Sequence, residues 1–145
     1  MKHTLLVYCV LISSALAAQT SKIAEPAQAG TLYTFFTPQE KSTLTSLTLK
    51  GKIDARDFAF LRDELKALSS LSLQLATIQP YSGTDGTYTG EQISYPANEI
   101  PEFAFYNPVL QTYKPGLTNV TLPVSATSSC FMSAGILWLL PCQIM

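Results

Sequence analysis

Three short leucine phrases constrain what this chain can fold into. Leu44, Leu47 and Leu49 return 24 positions later as Leu68, Leu71 and Leu73, and a third copy stands at Leu117, Val120 and Leu122. Side chains alternate along a strand, so Leu47 and Leu49 face one way, while Ser46, Thr48 and Lys50 face the other. One phrase cannot bury its own leucines. The pattern makes sense only when successive units stack and their strands pair.

A leucine-x-x-leucine-x-leucine spacing repeated about every 20 to 29 residues is the mark of a leucine-rich repeat. The expected fold is therefore α/β, a leucine-rich repeat solenoid of short parallel strands with one convex helix and an N-terminal cap. The interval from Leu68 to Leu117 is 49 residues, close to two periods. It predicts an intervening turn that lacks the leucine phrase.

The ends of the chain read differently from its middle. Residues 1–18 have the layout of a secretory signal, with Lys2 and His3 ahead of an apolar run from Leu5 to Ile12 and a small-x-small site at Ala15-Leu16-Ala17. Cleavage is expected near Ala17 or Ala18, with Cys9 leaving in the signal. The apolar run is short of the ~20 residues needed to span a bilayer. Residues 129–145 form an atypical apolar tail that contains Trp138, Cys130 and Cys142 and no charged residue. In an exported chain those two cysteines can oxidise to one disulfide or stay free, and sequence does not decide between them.

Between the ends lie a lead-in and cap (residues 19–43) and the repeat domain (44–128). Residues 19–31 show little periodicity and read as a flexible lead-in. Leu32, Phe35 and Phe36 are placed to cover the open end of the stack. Thr37-Pro38-Gln39-Glu40 reads as a helix start, with Thr37 as cap and Pro38 at the first helical position. Gly51 is expected to end the first strand. Asp54 then caps a second helix, with Asp57 completing a capping box. Phe58, Leu61, Leu65 and Leu68 share one helical face, and Arg56, Arg62, Asp63, Glu64 and Lys66 read as solvated. Residues 78–101, with Gly83, Gly86 and Gly90, read as a long loop that offers a contact surface.

The chemistry-bearing classes are sparse. Nine basic and ten acidic residues give no reason to expect a nucleic-acid partner. His3 is the only histidine and falls in the signal, so the exported chain has no histidine for a triad or a metal site. No glycine spacing matches a phosphate loop, and no cofactor or metal is expected. Asp54, Asp57 and Glu64 sitting in a cleft would be the enzymatic alternative, but capping and solvation explain them. Asn119-Val120-Thr121 fits a glycosylation acceptor but coincides with the third strand.

Leu47-Thr48-Leu49-Lys50-Gly51, Ile53-Asp54-Ala55-Arg56-Asp57-Phe58 and Leu61-Arg62-Asp63-Glu64-Leu65 resemble the opening of BspA-like leucine-rich repeat surface proteins of anaerobic bacteria. Tyr95-Pro96-Ala97-Asn98-Glu99-Ile100-Pro101-Glu102-Phe103-Ala104-Phe105-Tyr106 resembles that family's Ile-x-x-x-Ala-Phe phrase. Leu117-Thr118-Asn119-Val120-Thr121-Leu122-Pro123 resembles its strand phrase. The resemblance covers residues 29 to 128. It implies a secreted or cell-surface, non-catalytic, adhesin-like module that binds another protein, from a host or from another bacterial surface.

The candidate ligand-binding positions are the outward strand residues Ser46, Thr48, Lys50, Ser70, Ser72, Gln74, Asn119 and Thr121. After Ser128 the repeat grammar stops in mid-phrase. The alternative is therefore a truncated structural remnant of a longer repeat protein, prone to self-association through an uncapped C-terminal end.

Overall fold

The computed structural model describes residues 19–124. The signal, the apolar tail with both of its cysteines, and the last four residues assigned to the repeat domain lie outside that range. The fold is mixed α/β, built on a four-stranded parallel sheet whose order β1-β2-β3-β8 follows the chain. The strands are β1 (Thr20–Ala24), β2 (Leu44–Ile53), β3 (Ser70–Ile78) and β8 (Asn119–Thr121). Two short helices, α1 (Pro38–Thr43) and α2 (Ala55–Asp63), carry the chain between them.

The leucine phrases set the register. Leu47 pairs with Leu71 and Leu71 with Val120, so the three phrases lie side by side. Leu44, Leu47, Leu49, Leu68, Leu71 and Leu73 are all buried, at 2% exposure or less. Each such side chain contributes about 1.5–3 kcal/mol on burial. Hydroxyls repeat the same order. Thr45 Oγ1 donates to the Thr20 carbonyl at 3.1 Å, Ser69 Oγ to the Thr45 carbonyl at 3.0 Å, and Thr118 Oγ1 to the Ser69 carbonyl at 3.2 Å. Each strand is thus tied at its entry to the strand before it.

Both expected helix starts form. Thr37 accepts from the Glu40 amide while the Glu40 carboxylate accepts from the Thr37 amide, and Asp54 and Asp57 make the same reciprocal pair. Leu32, in a 3-10 turn over Leu32–Phe35, is fully buried and Phe36 nearly so, but Phe35 remains 37% exposed.

Six sequence expectations need correction. The lead-in is not a loop: Thr20–Ala24 is a strand, parallel to β2 and in register from Ser21↔Ser46 to Ala24↔Leu49. It lacks the leucine phrase, and its inward position Lys22 reaches out to Glu40 at 2.5 Å.

Gly51 does not end β2, which runs on to Ile53. At φ +79° Gly51 admits the Pro26 carbonyl, which would lie 2.6 Å from any Cβ there and which accepts from the Lys52 amide.

No extra turn lies between the second and third phrases, because β3 pairs directly with β8. The intervening residues 79–117 are an excursion that includes two hairpins. One is β4 (Tyr81–Asp85) with β5 (Thr89–Tyr95), where a loop was expected, and the other is β6 (Tyr106–Asn107) with β7 (Thr112–Tyr113).

Finally, α2 stops at Asp63, so Leu65 and Leu68 are buried from the segment after it, and Arg62 is buried rather than solvated. The excursion plugs the core with Ile100, Ala104 and Phe105, the last meeting Phe58 edge-on at 6.2 Å.

Candidate functional site

Strand pairing assembles the outward positions into rows across the sheet. Ser21, Ser46, Ser70 and Asn119 form one row, and Ile23, Thr48, Ser72 and Thr121 form the next. Seven of the eight candidate positions fall into register in this way, with Lys50 opposite Leu75 in a third, shorter row. Gln74 does not. The register shifts between Thr48↔Ser72 and Lys50↔Leu75, leaving Gln74 exposed in a bulge with no partner across the strand.

The hydroxyl ladder uses the entry residues Thr45, Ser69 and Thr118, while the candidate side chains beside them take no part in it. The candidate positions are polar and partly to fully exposed.

Sequence reasoning missed five members of this face, among them Lys52 and Thr77, which pair further along β2 and β3. Ser21 and Ile23 come with the unexpected β1, and Leu75 is turned outward by the bulge. Ile23 is 64% exposed and Leu75 61%, so the face carries two apolar anchors that the polar list lacked. A signal for Leu75 was present. Leu71 and Leu73 are inward at odd positions and Ala76 and Ile78 at even ones, and only an extra residue between them reconciles the two.

The carboxylates weighed for catalysis do not share a cleft. Asp57 accepts from the amides of Gly30 at 2.6 Å, Asp54 at 2.9 Å and Leu32 at 3.0 Å. Burial raises its pKa against those donors, which favour the anion. Asp54 pairs with Arg56 at 2.6 Å, and Glu64 reaches Lys41 at 3.3 Å on the surface. These groups pin the cap segment onto α2.

Arg62 was read as solvated, yet it is 7% exposed. Its guanidinium donates to the carbonyls of Thr87 at 2.7 Å, Phe103 at 2.9 Å and Tyr106 at 3.2 Å, and pairs with Asp63 at 2.7 Å. The ion pair holds the Asp63 carboxyl below its usual range despite burial. Lys114, equally buried, donates to the carbonyls of Leu65 at 2.6 Å and Arg62 at 3.3 Å, and burial pushes its pKa down to about 8.

Among the described residues, no group of three or more His, Cys, Asp or Glu is placed to hold a metal ion, and no helix is long and apolar enough to cross a membrane. No protein-family model matches the chain, and the curated proteins searched give no match either.

Proposed function

We propose that the chain is an exported, non-catalytic leucine-rich repeat module of the BspA-like kind, acting at the cell surface as an adhesin-like binder of another protein. The observation that carries this reading is the in-register outer face. Its rows of serine, threonine and asparagine end at Ile23 on one edge strand and continue beside Leu75 in the interior. A parallel sheet anchored by buried leucines is rigid, so a partner docking on it orders few protein groups, which lowers the cost of association. Hydrogen bonds from the rows would set register, and the two apolar side chains would supply the desolvated contacts.

The test is adhesion of the exported chain to surfaces coated with purified extracellular-matrix proteins, for the native sequence and for Thr48→Arg with Ser72→Arg. Saturable adhesion that the double substitution abolishes supports the reading. Adhesion insensitive to it, or none to any coat, counts against it.

A second reading is favoured by one observation. Among the described residues β8 is only three residues long, forms one border of the sheet, and has Leu117, Val120 and Leu122 only partly buried around it. A remnant of a longer repeat protein would have such a border, and it would self-associate there. Concentration-dependent light scattering that is abolished by Val120→Lys would favour this alternative.

A further inference from the structure

The excursion between β3 and β8 carries four aromatic rings in one contiguous row. Tyr88 and Phe103 have centroids 5.8 Å apart, Phe103 and Tyr106 6.2 Å, and Tyr106 and Tyr113 4.9 Å. None is buried, and Tyr113 is 59% exposed. These rings come from three separate stretches of chain, and one buried side chain organises them. Arg62 holds the carbonyls of Phe103 and Tyr106 and that of Thr87, next to Tyr88. Phe103 is kept at φ +60°, a conformation that only surrounding structure sustains in a residue of this kind. The Lys114 amide donates to the Phe105 carbonyl at 2.8 Å, fixing Tyr113 beside Tyr106. The row is therefore set before any ligand arrives.

From this geometry we propose that the row Tyr88, Phe103, Tyr106 and Tyr113 is a binding site for a proline-rich peptide in the polyproline II conformation with a flanking Lys or Arg. The polar groups at the row select that ligand. Asp63 is taken up by the Nε–Nη2 edge of Arg62 and by the Asn107 amide, and the Asn107 carbonyl oxygen by the amides of Val109 and Leu110. The carboxylate and carboxamide that would grip sugar hydroxyls are thus already occupied.

Among the described residues, what remains along the row is the phenolic hydroxyls of Tyr88, Tyr106 and Tyr113. Such donors suit a ligand rich in exposed carbonyls and poor in N–H groups, as a prolyl backbone is. At ~3.1 Å per residue, about two residues of polyproline II cross each gap between rings, and aromatic-lined grooves are the usual dock for such segments. Charge points to the flanking base. Residues 79–117 contain four carboxylates, Asp85, Glu91, Glu99 and Glu102, none of them buried, against the single base Lys114, which is buried on carbonyls. This site is separate from the sheet face and does not depend on it.

The experiment is fluorescence anisotropy of a labelled decapeptide of prolines and leucines ending in two arginines, titrated with the full chain. The controls are the same peptide with glycine for proline, and cellohexaose as competitor. The expected result is saturable binding, at least about tenfold weaker for the glycine peptide and unmoved by cellohexaose. Tyr113→Ala weakens it at least about fivefold with the melting temperature unchanged, Tyr113→Phe weakens it less, and Thr48→Arg leaves it as it was. Equal binding of the glycine peptide, displacement by cellohexaose, full affinity in Tyr113→Ala, or no saturation overturns the proposal.

Discussion

The Lys114 ammonium donates to the main-chain carbonyl of Arg62 at 3.3 Å, while the Arg62 side chain holds three carbonyls of the excursion to which Lys114 belongs. The two buried cations therefore grip the same junction from opposite sides, one closing the C-terminal end of α2 and the other closing the excursion over it. A cation near the last carbonyls of a helix also complements its dipole.

Arg62→Met should be among the most damaging single changes. It strands three carbonyls around a buried site and frees Asp63 from its pair, a loss of about 3 kcal/mol or more. Urea unfolding will show it as a lower midpoint. A midpoint unchanged from the native chain would mean that water replaces the guanidinium at no cost.

Lys114 predicts an alkaline dependence of stability. Its pKa in the fold is lowered to about 8 from 10.5, so the unfolded chain binds the extra proton between those values and stability rises as pH rises across that window. Thermal melts from pH 8 to 10.5 should show a smaller rise for Lys114→Met than for the native chain. Parallel curves for the two would refute the assignment.

Glu40 predicts the acid side. Its hydrogen bond to Lys22, followed by those from Thr37, holds its pKa at about 2 against 4.5. The stabilisation is present in full above 4.5 and is lost as pH falls toward 2. In Glu40→Gln this component of the acid transition should disappear, as read from the midpoint of acid unfolding followed by circular dichroism.

Gly51→Ala tests the close approach of two chain segments. A methyl group there meets the Pro26 carbonyl, and the backbone sits at φ +79°. Expected destabilisation is about 2 kcal/mol, against near neutrality for Gly90→Ala if space alone mattered, since nothing lies within 4 Å of that position. Gly90 shares a positive φ, +95°. A substantial loss there too would assign the cost to backbone strain rather than to Pro26.

How much of this was legible in the sequence follows from where each signal resides. The leucine phrases fix β2, β3 and β8 because one register aligns their inward side chains, burying those of the first two phrases and partly burying Leu117, Val120 and Leu122. Both capping boxes are local, four residues long, and readable as such. β1 was not readable, because two of its inward neighbours are Lys22 and Ala24 and its strand state comes from pairing with β2. Likewise, the burial of Arg62 depends on acceptors 25 to 44 residues downstream, and no local pattern contains them. On the candidate face, serine and threonine positions followed from alternation, and Leu75 was signalled by the change of inward parity after Leu73, whereas Ile23 required a strand that only pairing with β2 creates.

The central claim is that β8 returns across the excursion to lie directly beside β3, completing the rows of the outer face. A cross-linking measurement tests it most directly. With Cys9, Cys130 and Cys142 replaced by serine, Ser72→Cys is combined with Thr121→Cys, its register partner, or with Val124→Cys as a control. Paired strands lie about 4.8 Å apart, within disulfide reach. Mild oxidation should link 72 to 121 within one chain, detected as a shift on non-reducing electrophoresis and by peptide mass, and should leave the 72–124 pair open. Absence of the 72–121 link, or equal linking in both variants, would contradict the sheet order and with it the face on which the proposed function rests.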